Sequence, residues 1–345
     1  MTKKGLLILL GIMLAAMLLI PSAGAKCSLG GCGSGNDDWL ESAQAFLNSD
    51  VPIAGVSPYK SAETGSFKAG EPVGGGIVNA TGNRTVPKVA TDFVAPESRT
   101  GLFPAGELLD PMGSFSNQDV VDVSNQRSEG AAHIKGAINL PWNSFLSDDG
   151  TLRPVSEAAA VLGAAGITRE DAVIVYSDTF RSGEAAFVFW LLRYLGQDDV
   201  KALDGGLEDW NMASLPLETK KIVRSPANYT PSLRPDLLAS YDYVKSGKAQ
   251  MVDARTFLDF GKGRIQNASF ISPDQILENG KVKAGASLND TFAKLDRKRP
   301  VVVYSSDYLG ASLVWYALQL MGFDSRLYTW QDWQAHGESK VYEIK

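Results

Sequence analysis

Cysteine and histidine are almost absent from this chain of 345 residues. The two cysteines, Cys27 and Cys32, both stand near the amino terminus. No disulfide can therefore crosslink the rest of the chain, and no thiol there can serve as a nucleophile. The two histidines, His133 and His336, lie far apart in the sequence and do not supply a clustered zinc or haem site. We predict that the protein holds no metal and no cofactor.

An excess of basic residues is also lacking. The chain has 33 lysines and arginines against 39 acids, which gives a formal charge of −6 and a pI of about 5.1. A nucleic-acid-binding protein needs cations that displace the counterions of phosphates, so this class is excluded. Hydrophobic residues make up 44% of the chain and charged residues 21%. This composition excludes a disordered chain and a membrane protein with many spans, and it can supply two hydrophobic cores.

The amino terminus has the pattern of an export signal. Lys3 and Lys4 precede an apolar run over residues 6–20, and small residues follow up to Ala25. These features predict a secretory signal peptide over residues 1–25, with an uncleaved anchor as the alternative, for which the run is short. We expect the protein to be exported, to the periplasm, to the cell surface or to a lipid-anchored position on a membrane.

Cys32 is a candidate lipidation site. Residues 29–32 (Leu-Gly-Gly-Cys) are similar to a bacterial lipobox, although Cys32 stands further beyond the apolar run than is usual. A lipid on Cys32 would attach the protein to a membrane. The alternatives are a disulfide between Cys27 and Cys32 and the use of both thiols as ligands. Residues 26–99 are rich in Gly, Ser and Pro and are predicted to form an irregular extension.

An internal repeat organises the remainder of the chain. Residues 120–122 (Val-Val-Asp) recur as Met-Val-Asp at 251–253, and the run at 173–177 recurs at 301–305, an offset of about 128 residues. Short β-branched runs alternate with apolar helical stretches, so both copies are predicted to be α/β units with a mostly parallel sheet flanked by helices. The helices after the second run of each copy are predicted over Glu184–Leu195 and Ala311–Met321. The predicted domains are 100–216 and 235–345, joined by a linker over 217–234.

In each copy a strand that ends in Tyr-Ser leads through a polar loop into a helix. Such a loop gathers backbone N–H groups at the positive end of the helix dipole, and this arrangement stabilises an anion. Loop one consists of Ser177, Asp178, Thr179, Phe180, Arg181 and Ser182, and loop two consists of Ser305, Ser306, Asp307, Tyr308, Leu309 and Gly310. Loop one is interpreted as an anion pocket with Arg181 as charge partner, or as a relic in which Arg181 pairs with Asp178 or with solvent. Loop two has an acid and an apolar Leu309, which suit an oxyanion poorly.

These stretches resemble the rhodanese family, and specifically the tandem thiosulfate sulfurtransferases. The resemblance rests on Gly-Ala-Ala-His-Ile-Lys-Gly-Ala at 130–137, on Leu-Asp-Gly-Gly-Leu-Glu-Asp-Trp at 203–210 and on Val-Asp-Ala-Arg at 252–255. It covers residues 100–345 and implies two tandem rhodanese-like α/β domains. It also implies a structural role for His133, which braces its turn, and a pairing of Asp253 with Arg255 at a strand end.

The chain departs from the family at the head of each loop. In active members a cysteine stands there, and its thiolate carries sulfur as a persulfide, whereas this chain has Ser177 and Ser305. A serine hydroxyl cannot form a persulfide and needs a neighbouring base to become a nucleophile. The resemblance therefore implies that neither loop contains a catalytic residue. The second copy also has Arg264 in place of the Gly-His-Ile histidine.

Three functions remain open at this point. The first is a catalytically inactive, exported binding or scaffold module with a small anion or a protein as partner. The second is a sulfurtransferase in the broad sense that uses Cys27 or Cys32 from the extension. The third is a protein that binds a sulfur or selenium oxyanion in loop one. The basic run over 297–299 is interpreted as a solvated face.

Overall fold

A computed structural model describes residues 96–337 of the protein, apart from residues 114, 116 and 129. The described residues lie within one compact unit. The predicted signal peptide, the extension as far as residue 95, Cys27 and Cys32 lie outside the described residues.

The first half of the described chain is built around a parallel sheet. Its strands are β1 (Leu109–Asp110), β2 (Asp119–Asp122), β3 (His133–Ile134), β4 (Ile138–Asn139), β5 (Val173–Tyr176), β6 (Val200–Leu203) and β7 (Leu217–Glu218). Its helices are α1 (Val155–Ala164), α2 (Glu184–Tyr194) and α3 (Leu207–Met212). Within the described residues, five strands form the sheet in the order β1-β6-β5-β2-β4, and β3 pairs with β7 in a separate antiparallel ribbon. All four residues of β5 are buried, as expected for a strand whose two faces are both covered.

The second half repeats this plan with a smaller sheet. Its strands are β8 (Gln250–Asp253), β9 (Ser269–Phe270), β10 (Leu277–Glu278), β11 (Lys281–Val282), β12 (Val301–Ser305) and β13 (Ser325–Thr329). Its helices are α4 (Tyr241–Lys245), α5 (Phe257–Lys262), α6 (Pro273–Ile276), α7 (Gly285–Thr291), α8 (Tyr308–Leu320) and α9 (Trp330–Ala335). The described strands β13-β12-β8-β9 form a parallel sheet in that order. Short 3-10 helices cover Thr100–Leu102, Gly106–Leu108, Trp142–Phe145, Phe180–Ser182 and Pro235–Leu237.

The sequence repeat is also a structural repeat. Asp122 at the end of β2 lies opposite Tyr176 at the end of β5, and Asp253 lies opposite Tyr304 in the corresponding pair, β8 and β12. The predicted α/β class with mostly parallel sheets is therefore confirmed. Helix α2 begins at Glu184, as predicted, and ends one residue early.

The predicted start of the second helix was wrong. It begins at Tyr308 and not at Ala311, because the carboxylate of Asp307 caps it by accepting a hydrogen bond from the Gly310 N–H at 2.8 Å. Tyr308, Leu309 and Gly310, which were predicted as loop residues, form the first turn of α8. Loop two is thus shorter than loop one.

The two halves share one hydrophobic core, in which α2 packs against α8. The Phe189 ring meets the Tyr316 ring edge-on at 5.0 Å between centroids, and the Trp190 ring stacks on the Tyr308 ring at 6.2 Å. Gly183 has φ +82°, and a Cβ there would come within 2.8 Å of the Leu309 carbonyl oxygen. Glycine therefore allows both the turn into α2 and the close approach of the two helices.

The segment between the halves lies against the first of them. It begins with β7, and its buried Tyr229 donates a hydrogen bond to Gln197 Oε1 at 3.0 Å. Within the part of the chain that the structure describes, no helix is both long enough and apolar enough to cross a membrane.

We expect Tyr316→Phe to destabilise both halves together. The fully buried hydroxyl of Tyr316 in α8 donates to the Leu108 carbonyl of the first half at 3.0 Å. Loss of the donor leaves that carbonyl without its partner, at a cost of about 1–2 kcal/mol. Urea unfolding should show one cooperative transition at a lower midpoint. The control is Tyr243→Phe. Tyr243 is half-buried in α4, and its substitution should change the free energy of unfolding by less than about 0.5 kcal/mol. A separate, earlier transition of one half would contradict the shared core.

Candidate functional site

A buried tyrosine and a buried aspartate meet at the carboxyl end of each central strand pair. The Tyr176 hydroxyl donates to Asp122 Oδ2 at 3.1 Å and accepts from the Ile134 N–H at 3.2 Å. In the second half the Tyr304 hydroxyl donates to Asp253 Oδ2 at 2.7 Å. Burial raises the pKa of both tyrosines far above the ordinary value, so both keep their protons. These contacts hold the strand ends from which the two loops start.

Each aspartate is also paired with an arginine. Arg255 contacts Asp253 through Nε at 3.0 Å and Nη2 at 2.6 Å, and its guanidinium lies 3.7 Å from the centre of the Trp330 ring. The predicted pairing of Asp253 with Arg255 is confirmed. In the first half Arg127 binds Asp122 through Nε and Asp178 through Nη2 at 2.6 Å. Both arginines are therefore already neutralised by acids of the protein.

In loop one the hydroxyl of Ser177 is enclosed by the loop itself. Ser177 is fully buried, and its Oγ donates to the Thr179 carbonyl at 2.9 Å and lies 3.2 Å from Ser182 Oγ. Ser182 Oγ in turn lies 3.1 Å from Glu184 Oε2. A carboxylate therefore lies two hydrogen bonds from the head of the loop, and the sequence analysis did not predict it.

Loop one lies in an acidic environment. Burial raises the pKa of the Glu184 carboxyl, and the negative charges of Asp178 and Asp122 raise it further. Arg127 is the cation paired with two of these three acids. This arrangement disfavours an additional anion at loop one.

We expect the effect of Glu184→Gln on stability to depend on pH. Because the folded-state pKa of Glu184 is raised above the ordinary 4.5, its favourable contribution is complete below that value and is lost as the pH rises through the folded-state pKa. Glutamine does not ionise and can still accept from Ser182. The melting temperature of the variant relative to the wild type should therefore rise between acidic and neutral pH. The exposed Glu157→Gln is the control, and a difference that falls with rising pH would contradict the assignment.

Arg181 lies away from the head of loop one. Its exposed guanidinium Nη2 is 2.8 Å from Oδ1 of Asp274, which belongs to the second half. Asp178, the other partner considered from the sequence, is bound by Arg127. The structure thus places Arg181 at the boundary between the halves, with the residues of loop two.

Loop two borders a cleft of about 760 Å³ that residues of both halves line. Ser305, Ser306 and Asp307 contribute to its wall, and Arg181 and Ser182 of loop one join them. Ser177 is not part of this wall. The structure therefore brings loop two together with the end of loop one, and it leaves the head of loop one outside.

The walls of the cleft are mostly apolar. Its apolar lining includes Phe257, Phe270, Leu277, Leu309 and Leu313. The acids at its surface are Asp259, Asp274 and Asp307, against Arg181 and Arg255, which already have acidic partners. Phe257 is 74% exposed, although its ring meets the Phe270 ring edge-on at 5.5 Å between centroids. An uncharged or partly apolar group fits this cleft better than a free oxyanion does.

His133 contacts the backbone of its own turn. Its Nδ1 lies 3.2 Å from the Ala131 carbonyl, and its Nε2 lies 3.8 Å from Glu218 Oε1 in β7. These contacts agree with a bracing role for this histidine. In the described part of the chain, no group of three or more His, Cys, Asp or Glu side chains is placed to hold a metal ion.

The family model of the rhodanese-like domain matches this chain twice, over residues 104–213 and 240–336. The chain belongs to the rhodanese-like family. The two matches correspond to the two sheets with their flanking helices.

Curated relatives and solved structures are similar to part of this chain. A thiosulfate sulfurtransferase of Corynebacterium glutamicum is 30% identical over 234 residues, which are 58% of this chain and 76% of the relative. The sulfur carrier protein TtuD of Thermus thermophilus is 25% identical over 226 residues, 55% of this chain and 77% of the relative.

Among solved structures, the 3-mercaptopyruvate sulfotransferase SseA from Escherichia coli superposes with a TM-score of 0.56 at 20% identity, covering 61% of this chain and 91% of SseA. Wild-type EanB superposes with a TM-score of 0.60 at 18% identity, covering 68% of this chain and 66% of EanB. At these identities the structures bear on the fold alone.

Proposed function

We propose that this protein is an exported, tandem rhodanese-like binding module that does not itself transfer sulfur. The observation that carries the proposal is the oxygen atom at the head of both loops. Ser177 and Ser305 stand where the resemblance to sulfurtransferases places the nucleophilic cysteine. Ser177 is buried in its own loop, and Asp307 puts a carboxylate at the start of α8, where a substrate anion would otherwise be stabilised.

The binding site of this module is the cleft at loop two. Its apolar walls, its acidic rim and the exposed Phe257 suit a partner that presents an apolar side chain, such as a protein segment. The cleft lies at the boundary between the two halves, where Arg181 of one half and Asp274 of the other form an ion pair at its rim. This position supports a protein segment as the partner. Loop one suits an anionic ligand less well because Asp122, Asp178 and Glu184 surround it.

The test is thiosulfate:cyanide sulfur transfer by the purified mature chain, with the Cys27→Ser and Cys32→Ser variants as controls. The proposal expects no turnover above the uncatalysed rate in all three proteins, because no thiolate can hold the sulfur at either loop. Turnover in the wild type that disappears in one cysteine variant would overturn the proposal in favour of a thiol on the extension.

The location is tested by mass spectrometry of the native protein. Export predicts an amino terminus at Lys26 after removal of residues 1–25, or a lipidated amino terminus at Cys32. A chain that keeps Met1 and is recovered in the cytosolic fraction would contradict both forms of the proposal.

A further inference from the structure

A second cavity lies at the opposite end of the second sheet, where β8 and β9 begin. Its volume is about 400 Å³, and residues of the two strands, including Gln250, Met251 and Ser269, form part of its wall. It shares no lining residue with the cleft at loop two. It is therefore separate from the site that the family resemblance indicates.

The charge of this cavity is one-sided. Lys245, Lys294 and Arg299 line it, and none of its lining residues is an aspartate or a glutamate. The cleft at loop two has acids and arginines that neutralise one another, so the two cavities differ in the charge of their lining residues. Amide and hydroxyl groups of Gln266, Asn267 and Ser269 add polar groups to the wall.

The side chain of Gln250 holds the backbone at Arg299, whose guanidinium Nη2 lies 3.5 Å from the carbonyl oxygens of Gly247 and Ala249. The side-chain amide of Gln250 donates to the carbonyls of Asp296 at 2.8 Å and of Arg299 at 3.2 Å, and its oxygen accepts from the Asp296 N–H at 2.7 Å. All three residues of the basic run over 297–299 are exposed, as predicted for a solvated face. Arg297 turns away to the Met321 carbonyl, at 2.8 Å, while Arg299 lines the cavity.

Trp333 adds an apolar surface to the wall of the cavity. The residue is 7% exposed, and its ring packs against the Tyr241 ring of α4 at 5.6 Å between centroids. Its indole nitrogen is buried away from the cavity opening, so the ring contributes packing and not a hydrogen bond to a ligand. The polar contacts of a ligand therefore come from the basic and amide side chains of the wall.

We propose that this cavity binds an anion of the phosphate type, either free or as part of a small phosphorylated molecule. Lys245, Lys294 and Arg299 supply the positive charge, and charge-assisted hydrogen bonds to the anionic oxygens give the affinity. The volume of about 400 Å³ admits a ligand larger than the anion alone. This site is independent of the proposed binding function at loop two.

The test is calorimetric titration of the mature full-length protein with inorganic phosphate and with pyrophosphate, at an ionic strength held constant with potassium chloride. Lys294→Gln and Arg299→Gln each remove one charge-assisted hydrogen bond and should weaken binding about tenfold or more. Lys298→Gln is the matched control, because Lys298 belongs to the same basic run and is not part of the cavity wall. It should change the affinity by less than about twofold.

Three results would overturn the proposal: no binding of either probe by the wild type, equal weakening by Lys298→Gln, or unchanged affinity in both Lys294→Gln and Arg299→Gln. Circular dichroism establishes that each variant is folded. The same variants separate this site from the loops. A rise in melting temperature with sulfite or selenite that disappears in Lys294→Gln belongs to this cavity, and one that persists there would support the oxyanion hypothesis for loop one.

Discussion

The thiol of Ser305→Cys is expected to react with iodoacetamide about tenfold or more faster than that of Ser177→Cys. Ser305 is also buried, at 3% exposure, but it forms part of the wall of the cleft between the halves, where a reagent can approach. Ser177 is fully buried, and its side-chain oxygen lies between the Thr179 carbonyl and Ser182 Oγ. The sequence favours the opposite order, because it places Arg181 in loop one as the charge partner of an anion. In the structure Arg181 pairs with Asp274 and lies away from the head of loop one. Equal labelling of the two variants would contradict the enclosure of Ser177.

The same variant tests whether Asp307 has replaced the anion at the start of α8. Ser305 Oγ and Asp307 Oδ1 both lie beside Gly310. The Asp307 carboxylate should therefore disfavour a thiolate at position 305, and the thiol of Ser305→Cys should titrate at or above the ordinary value of about 8.5. Adding Asp307→Ser removes the charge and keeps a side chain that can cap the helix. The double variant should titrate below about 8.5, because the helix N-terminus then favours the thiolate.

The measurement is the labelling rate across pH for the single and the double variant. An unchanged pKa in the double variant would show that the backbone of loop two no longer favours an anion. The Asp307→Ser protein without the cysteine is the control for folding and for background labelling. Sulfur transfer by either cysteine variant would be a gain of function, because a persulfide needs the sulfur atom that both loops lack.

Arg255→Ala is expected to cost about 3–5 kcal/mol of folding free energy. Asp253 is fully buried, and the side chain of Arg255 is 4% exposed, so removal of the guanidinium leaves a buried carboxylate whose other side-chain partner is the Tyr304 hydroxyl. The stacking of the guanidinium on Trp330 at 3.7 Å is lost as well.

Urea unfolding measures this cost, and two further variants serve as the control and as a reference without the two charges. Arg153→Ala breaks an exposed pair with Glu157 and should cost less than about 0.5 kcal/mol. The double variant Asp253→Asn with Arg255→Gln removes both charges and should be more stable than Arg255→Ala alone. A cost below about 1 kcal/mol for Arg255→Ala would contradict the role of this pair in holding the strand end.

Local patterns in the sequence were sufficient for the fold class. The β-branched runs that end in Tyr176 and Tyr304 predict buried parallel strands, and both are found with neighbouring strands on each side. The start of α2 at Glu184 follows from a glycine that ends the preceding turn. The predicted start of α8 was wrong because a short loop that ends in an aspartate cap has the same polar sequence pattern as a longer loop.

The candidate site could be predicted only in part. Ser177 and Ser305 were found because each follows a strand, and the chemistry of the missing sulfur depends on the residue type alone. The acidic partner of Ser182 was missed because Glu184 reads as an ordinary first residue of a helix. The exposed Phe257 was missed because an aromatic residue in a helix is expected to be buried.

The sequence by itself determined the repeat, the parallel α/β class, the loops after the strands and the absence of a thiol in the body of the chain. Periodicity and residue type encode these features, since they depend on neighbours along the chain. The tertiary structure alone decided that α2 and α8 share one core, that Arg181 meets Asp274 and that Arg299 and Trp333 line one cavity. Arg181 and Asp274 are 93 residues apart, and contacts over such separations depend on how whole helices and sheets pack.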